Sequence, residues 1–219
     1  MSLRCIVPIK GVLVLAVAGL LALSAGGCVS ALFTPIYLLK GNNIEAEYKE
    51  LKGKRVAVVC RPLVIMKYRN ANVAKDLARE VSQRLKKNVP KIQVIEHGKV
   101  AEWMDENTWE NYVEVGRAVG ADTVVGIDLE RFDLLLGQTV YQGRANVTVT
   151  VYDCKTGKDL FSKGLPQVTY PANHVVSTLN KPEVDFRREF LSVLADHVAR
   201  HFYDYDAHAD VALDSRAMD

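Results

Sequence analysis

From Tyr141 to Tyr152 the chain alternates with a period of two: Tyr, Gly, Ala, Val, Val, Val at odd positions, Gln, Arg, Asn, Thr, Thr, Tyr at even ones. Successive side chains of an extended strand point to opposite faces, so this run is a strand with one buried and one wet face. Such strands belong to antiparallel sheets. Asp153-Cys154-Lys155-Thr156-Gly157 supplies a turn, and Leu160-Phe161-Ser162 begins the partner strand.

Upstream the pattern differs. Arg55 to Cys60 is a short β-branched run that Pro62 stops, the mark of a buried first strand. Asn72 is expected to cap a helix whose stripe is Val73, Leu77, Val81 and Leu85. Ile92 to Ile95 read as a second strand and Lys99 to Met104 as a short helix. Thr108 is expected to cap a further helix with Trp109, Tyr112, Val113 and Val119 inward, closed by Gly120, before a third strand from Thr123 to Leu129. The expected fold class is α/β (α+β): a three-layer-like β-α-β-α-β core with right-handed crossovers, extended by an antiparallel hairpin. Pro182 opens a last helix with Glu183 and Asp185 in its first turn and Phe186, Phe190, Leu194 and Val198 as its stripe, expected to pack on the sheet.

The amino terminus carries a different signal. Arg4 and Lys10 precede Gly11 to Leu23, a run without a polar side chain that falls short of the roughly 20 residues a spanning helix needs. Ser24-Ala25-Gly26-Gly27 then lead into Cys28, a thiol placed to accept a diacylglycerol group, and the arrangement resembles a bacterial lipoprotein signal. The reading is cleavage before Cys28 and anchoring through its lipid. An ordinary signal-peptidase site at Ala22-Leu23-Ser24 and an uncleaved anchor over Ile6 to Leu39 are the alternatives. The domain plan is thus a signal over 1–27, a lipidated cysteine and tether over 28–53, one domain over 54–203 and a loose polar tail over 204–219. Residues 29–39 are apolar enough to lie on the membrane or to pack back on the domain.

Charge and chemistry narrow the function. The chain has 28 Lys and Arg against 26 Asp and Glu. The surplus is Arg4 and Lys10, because residues 1–27 hold no acid, so the exported part is neutral and no nucleic-acid partner is expected. Cys60 and Cys154 could bridge in an oxidising compartment, but a buried free thiol is an equal reading of Cys60, and no bridge is assigned. No glycine follows the first strand, which excludes a P-loop or dinucleotide fingerprint. His197 and His201 lie one turn apart, yet Val198 stands where a zinc protease needs its glutamate, so no metal is assigned. No nucleophile elbow occurs. No catalytic residue and no cofactor is expected. The segment Arg61 to Ala71 mixes apolar and basic residues, and Arg61, Met66, Lys67, Tyr68 and Arg69 are the candidate partner-binding residues, against a plain reading in which they fold into the core and cover its edge.

Four segments carry a family resemblance: Arg-Val-Ala-Val-Val from Arg55, Asp-Leu-Ala-Arg-Glu-Val-Ser-Gln-Arg-Leu from Asp76, Gly120 to Gly126, and Val149 to Lys158. Over about residues 54 to 163 they resemble the α/β periplasmic domain shared by the curli-secretion channel lipoprotein, lipoproteins that activate peptidoglycan synthases, and the amino-terminal domain of the Tol-system propeller protein. The resemblance implies a non-enzymatic domain that binds other envelope proteins or assembles into rings. A barrel contribution needs pairs of alternating strands of roughly 9 to 11 residues, and the sequence displays one, so a pore is not expected. The leading expectation is an envelope lipoprotein facing the periplasm, with the outer membrane favoured, acting by protein contact as an accessory or assembly factor. A small-ligand or glycan module and an unrecognised hydrolase are the alternatives, and self-assembly is left open.

Overall fold

Val56, Val58 and Cys60 point to one face of the first long strand while Ala57 and Val59 point to the other, and all five are buried. A strand that is apolar on both faces must be covered on both, and the fold supplies two helical layers. The structure is a computed structural model and describes residues 43–62 and 71–206. In chain order the elements are β1 (Asn43–Ile44), β2 (Arg55–Pro62), α1 (Ala71–Asn88), β3 (Gln93–Val94), α2 (His97–Glu106), α3 (Tyr112–Ala118), β4 (Thr123–Leu135), β5 (Val140–Asp153), β6 (Asp159–Gly164), β7 (Val168–Tyr170), β8 (Val176–Ser177), α4 (Glu183–Ala199), a 3-10 turn (Arg200–Phe202) and β9 (Tyr205–Asp206).

The main sheet runs β3-β2-β4-β5-β6, with β7 and β8 continuing along the same edge of β5. β3, β2 and β4 are parallel, and every pairing of β5 is antiparallel. β2 passes to β3 through α1, and β3 passes to β4 on the far side of β2 through α2 and α3. Right-handed crossovers in opposite directions place their helices on opposite faces. The larger core accordingly gathers Leu77, Val81 and Leu85 of α1 with Phe186, Phe190, Leu194 and Val198 of α4 on one face. The smaller gathers Val100, Tyr112 and Val115 with Ala57, Val59 and Val124 on the other. This is the expected α/β class, with the last helix packed on the sheet.

The alternation that opened the sequence reading is obeyed: Tyr141, Ala145, Val147, Val149 and Val151 are all buried in the larger core. Gly143 completes the buried face, and a Cβ there would lie 2.5 Å from the Phe190 ring.

Several boundaries move. β4 runs on to Leu135, well past Leu129, because register shifts beside Glu130 and Leu134 absorb the polar interruption and let pairing with β5 resume. The hairpin therefore has two long strands, of 13 and 14 residues, where the sequence displayed one. Its inner face is the domain's own core. Asn111, not Thr108, caps α3, its side chain accepting from the Glu114 amide at 2.9 Å. Tyr112, Val115 and Gly116 are the buried members of that helix, while Val113 is half-exposed. Asn72 lies inside α1 instead of capping it.

The folded part also begins earlier and ends later than 54–203. Tyr48 and Leu51 are buried, with Tyr48 packed between Phe161 and Phe202. β1 pairs with β9 as a separate two-stranded ribbon, and the Asp204 carboxylate accepts the Ala46 amide at 2.9 Å. The tether expected to reach residue 53 is thus packed from Asn43 onward, and the tail expected to be loose starts with a paired strand. Cys60 and Cys154 are both buried free thiols, in the larger and the smaller core respectively.

Candidate functional site

Arg61, the first of the candidate partner-binding residues, is held by its own domain. β2 and β4 are parallel and in register, which sets Arg61 opposite Asp128, and the guanidinium reaches that carboxylate at 3.3 Å and the Glu110 carbonyl at 3.2 Å. It also lies 4.9 Å from the Tyr112 ring centre, where a delocalised cation is attracted by the ring face. Tyr112 donates to the same Asp128 at 2.8 Å, and burial raises its phenol pKa well above the usual range. Arg61 therefore closes the smaller core at the carboxyl end of β2, beside the middle of β4. Beside it is a shallow cleft of about 380 Å³ reaching Arg117 and Tyr152. Met66, Lys67, Tyr68 and Arg69 lie outside the described residues, as does Cys28.

A larger cleft of about 500 Å³ lies between the β1–β9 ribbon, β7 and the carboxyl end of α4. The α4 spacing that makes a core stripe of Phe190, Leu194 and Val198 turns His197 to this cleft, and the 3-10 turn adds Arg200 and His201. Glu47 binds Lys163 at 3.0 Å and His201 Nδ1 at 3.1 Å. The lysine contact holds the Glu47 carboxyl below its ordinary value. Burial lowers the His201 imidazole, with Glu47 opposing. Arg200 is buried, paired with Asp196, its guanidinium 4.8 Å from the Tyr205 ring centre. His197 and His201 thus share a cleft, and among the described residues no three potential ligands are grouped to hold a metal. Tyr170, Tyr205, Thr169 and Gln167 complete walls that mix apolar side chains with many polar and charged ones.

A third feature escaped the sequence reading. Among the described residues seven large apolar side chains are exposed, and five of them, Leu135, Leu136, Val175, Leu179 and Val184, belong to segments that meet at the tip of the β4–β5 hairpin. Val140 and Tyr141 pair with β8, and the Thr178 amide donates to the Thr139 carbonyl at 3.0 Å, which brings residues 175–184 to this end. Leu179 is 94% exposed and Val184 67%. A visible signal existed in Leu134-Leu135-Leu136, placed beyond the point where the third strand was expected to stop.

Among the described residues no helix is long and apolar enough to cross a membrane. No protein-family model and no curated protein matches the chain. Solved structures with a similar path include the PelC dodecamer from Paraburkholderia phytofirmans, 14% identical over 73% of this chain and 91% of that one, TM-score 0.42. Lipoprotein GNA1162 from Neisseria meningitidis is 13% identical over 66% and 97%, TM-score 0.41. The LpoB C-terminal domain from Salmonella enterica is 12% identical over 60% and 89%, TM-score 0.36. GNA1162 is a lipoprotein by name, and similarity of this size transfers no activity.

Proposed function

We propose that the chain is a cell-envelope lipoprotein, anchored through lipid on Cys28, whose α/β domain is non-enzymatic and acts by contact with another envelope protein. The observation that carries the contact reading is the gathering of Leu135, Leu136, Val175, Leu179 and Val184 at one end of the domain. Single exposed apolar residues are ordinary, whereas a group of them at one pole exposes a surface that association would bury. The anchoring half rests on the small residues before Cys28.

Photo-crosslinking from Leu179 in intact cells tests the contact. The expected result is one adduct of defined mass containing a second envelope protein, lost when Val184 is changed to Lys. An adduct of two copies of this chain, or capture unaltered by Val184→Lys, would overturn it.

The larger cleft favours a second reading, a small polar ligand such as a glycan fragment. Thermal shifts against cell-wall sugars and peptides that vanish in Thr169→Trp but survive Val184→Lys would establish that reading in place of the first.

A further inference from the structure

The exported part is neutral by composition, but folding sorts its charges. Lys52, Lys54, Lys87, Lys91, Lys155 and Lys158 come together where β2 and β4 begin, α1 ends and β5 turns into β6. Backbone hydrogen bonds tie this end into a row. The Gln93 amide donates to the Lys54 carbonyl at 2.9 Å, Asp122 to Arg55 at 2.8 Å, Cys154 to Asp122 at 3.0 Å and Asp153 to Lys158 at 2.9 Å. With strands about 4.8 Å apart, the row from β3 to the β5–β6 turn is about 15 Å wide.

Among the described residues none of the six lysines has an ion-pair partner. Two acids at this end are also hydrogen-bonded to neutral donors, and the Thr156 amide, with Lys54 helping, holds the Asp153 carboxyl below its ordinary value. Asp122 accepts the Arg55 amide at 2.9 Å, and Asp153 accepts the Thr156 amide and hydroxyl at 2.6 and 2.9 Å. Several bases elsewhere are paired: Lys75 with Asp105 at 2.7 Å, Arg131 with Asp133 at 2.6 Å, Lys181 with Glu189 at 3.0 Å. The α1 dipole accounts for Lys87 and its neighbour Lys86, which stand in the last turn. It does not account for the lysines in the turns at 52–54, 91 and 155–158, and the six lysines of this end outnumber the carboxylates of Glu50, Asp122, Asp153 and Asp159 in and beside the same turns.

We propose that this basic end rests on the anionic headgroups of the membrane that holds the lipid of Cys28. The inference depends on the anchoring reading above. The chain between Cys28 and Asn43 can extend to ~50 Å, enough for this end to meet the surface. A polybasic face is attracted to an anionic leaflet within a Debye length of about 8 Å. β5, with 14 residues at about 3.3 Å each, would then hold the apolar hairpin end roughly 45 Å farther out, clear of the lipid.

The test uses the full lipidated protein, reconstituted in vesicles of phosphatidylcholine alone or mixed with phosphatidylglycerol, with amine labelling read lysine by lysine. Lys87, Lys91, Lys155 and Lys158 are expected to label several-fold more slowly on the anionic vesicles. The protection should disappear at ~0.5 M salt, where screening is short, while Lys181 near the other end labels alike on both. The combined variant Lys87→Glu, Lys91→Glu, Lys155→Glu, Lys158→Glu, with unchanged circular dichroism, should lose the protection of Lys52 and Lys54.

Equal labelling on both vesicles, with the protein floating on both, would overturn this inference and leave the anchor standing. A protein that floats with neither overturns the anchor, and this inference with it. Protection by a soluble anionic polysaccharide but not by anionic vesicles would also overturn the membrane assignment.

Discussion

Gly143 faces the larger core not for any unusual backbone angle but for space: Phe190 occupies the volume a Cβ would need and stacks 5.1 Å from Phe132. Gly143→Ala must displace that ring pair, and overpacking of this kind costs about 1–3 kcal/mol. The urea midpoint should fall with an unchanged slope. A second residue-scale effect concerns protons. Burial lowers the imidazoles of both His97 and His201 from an ordinary value near 6.5. Below that value the unfolded chain binds protons that the folded chain does not, so their contribution is fully present above it and is lost as pH falls toward the lowered folded values. Urea midpoints should therefore decline as pH is taken from about 7.5 to about 5.5, and His201→Gln should flatten the decline. A flat profile in the parent protein would contradict the burial of both rings.

At the scale of elements, the same residue type has opposite consequences according to where its helix or strand ends up. Phe190 is fully buried on α4, so Phe190→Ala should cost about 3–5 kcal/mol. Leu179, in the loop before α4, should tolerate Ser with a change within about 0.5 kcal/mol, because it is almost wholly exposed. Calorimetry on the two variants separates core from surface. The β1–β9 ribbon makes a further prediction. Cutting the chain after Tyr203 removes the Asp204 acceptor and the partner of β1, so amide protons of residues 43–46 should exchange faster while those of β5 do not. The α4 stripe and the β5 alternation were legible because each is set by residues of its own element. The end of β4 was not, because bulges at Glu130 and Leu134 depend on the partner strand.

For the described domain as a whole, one end gathers lysines without an ion-pair partner and the other exposed leucines and valines. Cys28→Ala should move the protein from membrane to soluble fractions, and retention would point to an uncleaved anchor. By itself the sequence determined the α/β class, the buried face of β5 and the stripe of α4. Local periodicity needs no distant contact to be defined. The tertiary structure alone decided that Arg61 closes a core with Asp128 and Tyr112, that Glu47 and His201 meet across the larger cleft, and that a neutral composition separates into a basic and an apolar end. Each of these joins residues far apart in sequence, through parallel pairing that runs by way of a helix and through chain ends that fold back. No local pattern encodes which charges will lack a partner once the sheet has formed.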